Sequence, residues 1–570
     1  PLLLELPFLT ASCKLRDGKA SFAPPLGWLR LAAAMGAAEA CCGSRSTYGV
    51  EAEDIQTSTD RLRSKFGCDI LIMAVKDQNV PGKLCLTGDV GPALVEAITR
   101  LLTSDENNQK VEQTNDKYDL MWRYVWRNTS LTSGHSAFSL AKPYFPRGKI
   151  IVKLLDTIAG FGWGLSAAPN FGGVQSRDDK GNPTVTVDWP VFIFYKDTAS
   201  RFTGEHLLFA VKDSNIPGKL CAAGPVGGDL EANMTEALKP FSADVKSEKD
   251  SYDNDYDVVW RNTSITTGMT VMSFAKAYFP KGQTNVALLE CCYRAGWRAV
   301  AAPNFGGQGD SWPCYILRKL KDAAEPPPEL LIGAIKDSNL PGKLCMSGPS
   351  ADRVAKAMCT ALLKVEGNDK VKSEKDSYDT DHDAVCRDVK VTTGMQAFSF
   401  RVPYFPRGDS MKAMLGSWRA EGFQVVACPN FGGMQDSWPT FVLERRDDVG
   451  PQLYLAVKDD NIPGKVCITS DGPADAGLGS DLLEVFQALC GEKVQQTADD
   501  YDRSYELAFR HTVLTSGHAT FTMAKPYWPH GYVLELTLQV LLKRGWRAEG
   551  GPNFGDDGNT WPGIIFSRTA

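Results

Sequence analysis

One block of twelve residues constrains this chain more than any other feature, because it occurs four times with almost no change. Its second copy reads Ala210-Val211-Lys212-Asp213-Ser214-Asn215-Ile216-Pro217-Gly218-Lys219-Leu220-Cys221, and it returns as Ala74 to Cys85, Ala334 to Cys345 and Ala456 to Cys467. The lysines that mark it, Lys76, Lys212, Lys336 and Lys458, lie 136, 124 and 122 residues apart. That period is the size of a domain and too long for a solenoid unit. The chain therefore reads as four similar domains, at 68–200, 204–322, 328–446 and 451–570, behind an N-terminal segment 1–67. A length of 570 residues gives the same count at about 100–200 residues per domain.

The joints between repeats are short. Ala323-Ala324-Glu325-Pro326-Pro327-Pro328 is a stiff extended linker by composition, and Arg446-Asp447-Asp448-Val449-Gly450-Pro451 is a polar break with turn formers. Joints of this kind predict a compact row of touching modules. Each module is long enough to bury its own core, so residues 204–322 are expected to fold by themselves.

Within the second copy, Leu207 to Val211 suits a buried strand that breaks at Lys212-Asp213-Ser214-Asn215 into a turn closed by Pro217-Gly218. The corresponding part of the first copy continues with Leu94, Ala97, Ile98 and Leu101 at helical spacing behind Pro92. Val258 to Arg261 and Val271 to Phe279 read as extended, with Thr266-Thr267-Gly268 as a hairpin corner between them. A second helix is predicted from about Thr284 to a C′ glycine, Gly296, followed by Trp297; the same step recurs as Gly162-Trp163, Gly422-Phe423 and Gly545-Trp546. Two further strands surround the Pro303-Asn304-Phe305-Gly306 loop. The predicted fold is α+β: four tandem repeats of about 120–135 residues, each a ferredoxin-like antiparallel sheet with two helices on one face.

Bulk chemistry excludes several classes. Hydrophobic residues at 43% and charged residues at 23% are ordinary globular values, and a net charge of −6 offers no footprint for nucleic acid. Fifteen cysteines without a C-x-x-C pair argue for neither a disulfide scaffold nor a zinc site, so reduced thiols are expected. No apolar run reaches the length of a membrane-spanning helix.

Motifs for chemistry fail on their spacing. Gly218-Lys219 is followed by Leu220 where a phosphate loop needs Ser or Thr. Asp253-Asn254-Asp255-Tyr256-Asp257 starts like an EF-hand loop, but Val258 stands at its sixth position and Ser264 at its twelfth, so a solvated acidic loop is the expectation. No histidine recurs in all four copies: His135 and His518 correspond to Met269 and Met395. A histidine base shared by the repeats is thereby excluded, and no cofactor is indicated.

What the copies do share is a polar set. The candidate ligand-binding residues are Lys76, Asn79, Arg127 and Asn170; Lys212, Asn215, Arg261 and Asn304; Lys336, Asn339, Arg387 and Asn430; and Lys458, Asn461, Arg510 and Asn553. Either these groups bond turn backbone and pair internally, as Arg261 with Asp253, or they line the rim of a pocket with aromatic walls from Tyr278, Phe279, Phe305 and Trp312. The functional expectation is a non-enzymatic binding or scaffold protein with four equivalent weak sites, its partner a protein or a small aromatic or anionic ligand. The alternative is an enzyme or ligand carrier with one pocket per repeat. Sequons at Asn128, Asn233 and Asn262 matter only in a secreted chain.

The N-terminal segment carries its own expectations. Met35 is the first methionine, and Gly36-Ala37-Ala38-Glu39-Ala40-Cys41-Cys42 resembles the start of a dually acylated protein, with Gly36 for myristate and Cys41 and Cys42 for palmitate. On that reading the repeats sit on the cytoplasmic face of a membrane, tethered by the polar stretch up to Lys65. Alternatively Met35 is internal, or Leu2 to Leu9 is the remnant of a targeting peptide and the protein is delivered to an organelle or secreted.

Overall fold

The structure is a computed structural model that describes most of residues 52–570; residues 1–51, the segments 77–81, 134–144, 178–182, 213–217, 268–278, 337–341, 394–404, 459–463, 516–527 and 555–560, and a few shorter stretches lie outside the described residues. Every repeat contributes seven antiparallel strands and two helices in one chain order: two strands, a helix, two strands, a helix, three strands. In repeat 2 the strands are Phe202–Lys212, Gly218–Ala223, Lys246–Ser247, Val258–Thr263, Trp297–Ala301, Asn304–Gly307 and Asp310–Leu320, with helices Gly228–Leu238 and Gly282–Arg294. Across the sheet the order is third, fourth, second, first, seventh, fifth, with the short sixth strand also pairing the seventh. The mixed α+β expectation holds. Relative to the expected order, the twelve-residue block forms a hairpin of its own before the first helix, with Ala210 opposite Cys221 and Lys212 opposite Lys219. The extended run expected at Val271 to Phe279 falls almost entirely outside the described residues.

Strand composition shows why these sheets cannot be solvated on either side. All six residues from Ile70 to Val75 are buried, as are Leu330 to Ile335 and Gln452 to Val457, the signature of a sheet covered on both faces. In repeat 2, Leu207, Phe209, Val211, Leu220 and Trp260 join one core with Leu230, Met234 and Leu238 of the first helix and Val286 and Leu289 of the second. The alternate residues, Leu208, Ala210, Cys221, Ala223 and Val259, join a different core, with Ile151, Leu154, Leu155 and Ile158 of the second helix of repeat 1, Gly148–Gly160. A helix wedged between two sheets must be apolar most of the way round, and Ile150, Ile151, Val152, Leu154, Leu155 and Ile158 are all buried.

The same step is taken four times. The second helix of repeat 2 packs on the first strand of repeat 3, and that of repeat 3, Gly408–Ala420, packs on the first two strands of repeat 4. The second helix of repeat 4, Gly531–Lys543, packs on the first two strands of repeat 1, where Tyr532 donates its backbone N–H to the Met121 carbonyl at 3.0 Å. Four repeats therefore close into a ring. The fifth strands, Trp163–Ala167, Trp297–Ala301, Phe423–Ala427 and Trp546–Gly550, touch one another in the same cyclic succession and form its centre.

Glycine makes the close step possible. Gly148, Gly282, Gly408 and Gly531 open the second helices, and a Cβ on each would lie within 2.9 Å of an atom of the next repeat: Tyr256 and Ala223, Ser347 and His382, Ser504 and Tyr505, Met121 and Trp122. At the other end of these helices Gly162, Gly296, Gly422 and Gly545 take φ between 79° and 83°, the left-handed stop read from the sequence.

The stretch expected to be a tether is a helix, Ala52–Phe66, packed on the second helix of repeat 4. Its composition is polar, but Ile55, Thr59, Leu62 and Phe66 form one buried stripe. Arg63 clasps Glu535 through Nε at 2.7 Å and Nη2 at 2.8 Å. Among the described residues the expected reduced state of the cysteines has one exception: Cys359 and Cys386 are joined in a disulfide inside repeat 3. Cys85, Cys221, Cys345 and Cys467 are buried and not disulfide-bonded, facing the helix of the preceding repeat, and burial pushes the Cys221 and Cys345 thiols up to about 12. Among the described residues no helix is long and apolar enough to cross a membrane.

Candidate functional site

Each repeat boundary builds one copy of the same site. Lys212 ends the first strand of repeat 2, and the register that sets Cys314 opposite Ala210 brings Trp312 of the seventh strand alongside it. The preceding repeat supplies Phe145, from the Tyr-Phe-Pro segment just ahead of its second helix. Phe145 and Trp312 meet edge to face, centroids 5.3 Å apart and planes at 90°. The Lys212 ammonium lies over both, 4.7 Å from the Phe145 centroid and 5.9 Å from that of Trp312. Burial pulls the Lys212 ammonium below its ordinary value.

The other boundaries repeat this geometry with different residues. Lys336 lies 5.0 Å from Phe279 and 5.9 Å from Trp438; Lys458 lies 4.6 Å from Phe405 and 5.8 Å from Trp561. At the junction of repeat 4 with repeat 1, Trp528 takes the place of the phenylalanine, and Lys76 is 5.0 Å from both Trp528 and Trp189. These ring pairs are also edge to face, at 85°, 87° and 85°. A cation over such rings is worth about 0.5–2 kcal/mol, depending on how far water is excluded. Since every boundary is made by the same step, the four lysines share one end of the ring axis.

The arginines stand in the same row, and Arg127, Arg261 and Arg387 are committed to carboxylates. Lys212, Lys219 and Arg261 are neighbours across three adjacent strands. Asp253 takes the Lys219 ammonium at 3.0 Å and the Arg261 guanidinium at 3.3 Å. Asp119 joins Lys83 to Arg127 at 2.9 and 2.6 Å, and Asp379 joins Lys343 to Arg387 at 2.8 and 3.1 Å. In repeat 4, Lys465 meets Asp502 at 2.8 Å and pairs in register with Arg510.

The asparagines divide into two groups. Asn170, Asn304, Asn430 and Asn553 are buried at the start of the sixth strands, where Asn304 accepts from the Ser311 hydroxyl and Asn430 from Ser437, each at 3.0 Å. They brace the strand that pairs with the tryptophan, since Phe305 stands opposite Trp312, and do not line a rim. Asn79, Asn215, Asn339 and Asn461 lie outside the described residues, as do Gly36, Cys41 and Cys42.

Two further sequence features find structural partners. The acidic loop is engaged: Asp255 pairs with Arg147 of the preceding repeat at 3.0 Å, and Asp257 accepts the Gly224 N–H at 2.9 Å. Asn128 and Asn262 of the sequons adopt φ near 60° in an irregularity of the fourth strand, and their amides donate to the Lys110 and Asp244 carbonyls. Among the described residues no cluster of three metal-ligating side chains occurs.

Reading the repeats one at a time missed that the aromatic wall is shared. Phe279 walls the site of Lys336, in the next repeat, and Phe145 walls that of Lys212. The signal available was the Tyr-Phe-Pro or Tyr-Trp-Pro triplet present in every copy, but nothing in one copy says which lysine it faces. No protein-family model matches the chain, and comparison with curated proteins and with solved structures gives no match.

Proposed function

We propose that this protein is a multivalent binding or scaffold protein that presents four equivalent cationic, aromatic-floored sites at one end of a closed ring. The observation that carries the reading is the fourfold recurrence of a lysine over an edge-to-face ring pair assembled from two repeats. A half-buried ammonium beside a further lysine and an arginine suits carboxylate or phosphate groups, and the buried ring pair beneath it holds that ammonium in a fixed place. One such site is weak. Four on a rigid ring give an effective concentration that a single chain with spaced acidic groups, or a surface bearing many of them, can exploit.

The test is a surface carrying a Glu- and Tyr-rich peptide at graded density, probed with the full chain and with versions carrying one, two or four of the changes Lys76→Met, Lys212→Met, Lys336→Met and Lys458→Met. Methionine keeps the apolar stem on the rings and removes the charge. Apparent affinity should climb steeply with peptide density and fall stepwise with each substitution. Binding that ignores density, or that one substitution abolishes, refutes equivalent sites.

A further inference from the structure

At the centre of the ring the equivalence of the repeats is broken. The four fifth strands enclose a cavity of about 310 Å³ lined by Leu165 and Ser166, Ala299 and Val300, Val426, and Arg547 and Glu549, one contribution from each repeat. Arg201, Arg318 and Arg446 complete its wall together with Asp197. It lies where seventh strands end and the first strand of repeat 2 begins, so it opens toward the end of the ring away from the four lysines. Its chemistry is not fourfold: the positions before Leu165, Ala299, Val425 and Ala548 hold Gly164, Arg298, Gln424 and Arg547.

Four guanidinium groups line this cavity against two carboxylates. Arg318 is 4% exposed and gives one Nη to Asp197 at 3.0 Å and to Ser200 at 3.3 Å, while its buried Nε has no hydrogen-bond partner among the described residues. An unmet buried donor on a cation is costly, because nothing replaces the water it has lost. Arg446 reaches Glu444 at 3.2 Å and Gln424 at 2.9 Å, and Arg201 reaches Glu325 at 3.2 Å. Arg547 stacks over the Tyr195 ring at 4.7 Å and has no carboxylate within ion-pair distance among the described residues. Glu549 is turned to Gln424 and Ser567, at 3.2 and 2.6 Å. Burial raises its proton affinity, and burial together with Arg547 and Arg201 lowers that of Arg318. Arg201, Arg318 and Arg446 each have one carboxylate partner, so the donors left for an entering anion are the Arg318 Nε and the Arg547 guanidinium.

We infer that the axial cavity binds one compact, multiply charged oxyanion, held by Arg318, Arg446 and Arg547. Phosphate and carboxylate groups both accept the paired N–H donors of a guanidinium, and a volume of about 310 Å³ admits more than one such group. Because the ligand touches all four repeats it clamps the ring at its centre, so its binding is read as stability of the whole chain.

The experiment uses the full chain with pyrophosphate and, separately, citrate, each against sodium chloride of matched ionic strength, with thermal denaturation and titration calorimetry as readouts. One equivalent per chain should bind at least one of them and raise the melting temperature; the arm that binds tells phosphate from carboxylate chemistry. Arg547→Gln should weaken that binding at least tenfold. Its effect on the melting temperature of the ligand-free chain should be small, because the change breaks no ion pair among the described residues and trades the stacking on Tyr195 for relief of the repulsion with Arg318. Arg547→Lys should recover part of the affinity. Binding of neither anion overturns the inference, and so does a stoichiometry other than one or an Arg547→Gln chain that binds as tightly as its parent.

Discussion

Residues 204–322, expressed alone, should fail to fold cooperatively, the opposite of what the sequence of one repeat led us to expect. Cutting at these boundaries removes the helix Gly148–Gly160 and lays bare the face of the sheet that carries Leu208, Val259 and Ile316, all 0% exposed in the ring. Returning three such side chains to water costs about 6 kcal/mol at about 2 kcal/mol each. The fragment's own second helix also loses Leu330 and Ile332 of repeat 3, which share its core. A domain of this size has only about 5–15 kcal/mol of stability in total, so losing contacts on both sides consumes most of it. The assay is differential scanning calorimetry with urea titration of the fragment and of residues 52–570. The fragment should melt broadly or aggregate, while the longer chain melts in one sharp transition. A sharp transition for the fragment, with a urea slope appropriate to about 120 residues, would show that each sheet tolerates one open face and that the shared-core argument is wrong.

Gly531→Ala and Gly148→Ala should each destabilise the chain by about 1–3 kcal/mol through overpacking, since the new Cβ would lie 2.8 Å from the Met121 carbonyl oxygen in one and 2.6 Å from the Tyr256 ring in the other. Comparable losses of melting temperature are expected at the closing boundary and at an internal one, whereas Gly160→Ala, with nothing within 4 Å, should stabilise slightly; a silent Gly531→Ala would mean that the ring is open in solution. His382 occupies the place of Tyr256 and Tyr505 at the boundary of repeats 2 and 3, and burial lowers its pKa to about 4. A base whose folded pKa lies below its unfolded value of 6.5 favours unfolding as pH falls from 6.5 toward 4, here by about 2 kcal/mol at pH 5. The double change His382→Tyr and Ser347→Ala, which copies Tyr256 and Ala223, should therefore shrink the stability difference between pH 7 and pH 5 by about that amount in urea titrations; an unchanged difference would place the acid response elsewhere, with His206 and His530, which burial also lowers, as the other buried imidazoles among the described residues.

Local order in this chain was legible because local chemistry decides it. The Gly-aromatic step stopped four helices where the sequence placed the stop, and the apolar runs around Leu207 to Val211 became strands. What stayed hidden was which surfaces meet. Leu207 and Leu208 look alike in the sequence, yet one faces the helices of its own repeat and the other the helix of its neighbour. A run with no polar face announces double burial but not the identity of the second cover. The candidate lysines were found because they recur, and their aromatic wall was assigned to the wrong lysine because recurrence is blind to a shift by one repeat. The axial arginines were missed for the complementary reason: none recurs in all four repeats, Arg547 having a counterpart only in Arg298, so comparing copies filters them out.

Repeat 3 shows how independently one buried position can be solved once the frame around it is set. In repeats 1 and 2 a tryptophan on the fourth strand donates its indole N–H to a threonine on the first helix, Trp126 to Thr99 at 2.8 Å and Trp260 to Thr235 at 3.0 Å. Phe509 takes the strand position in repeat 4 and stacks on Phe486, 5.1 Å away, in place of a hydrogen bond. Repeat 3 puts Cys386 and Cys359 at the two places and joins them covalently. Between the first helix and the sheet, then, a neutral hydrogen bond, an aromatic contact and a disulfide serve one geometric need, because that contact lies within a single repeat and can drift with it. The boundary glycines cannot drift in this way. Each must fit a surface encoded about a hundred residues away, or about four hundred for Gly531, and a ring has no end at which a misfit can be relieved.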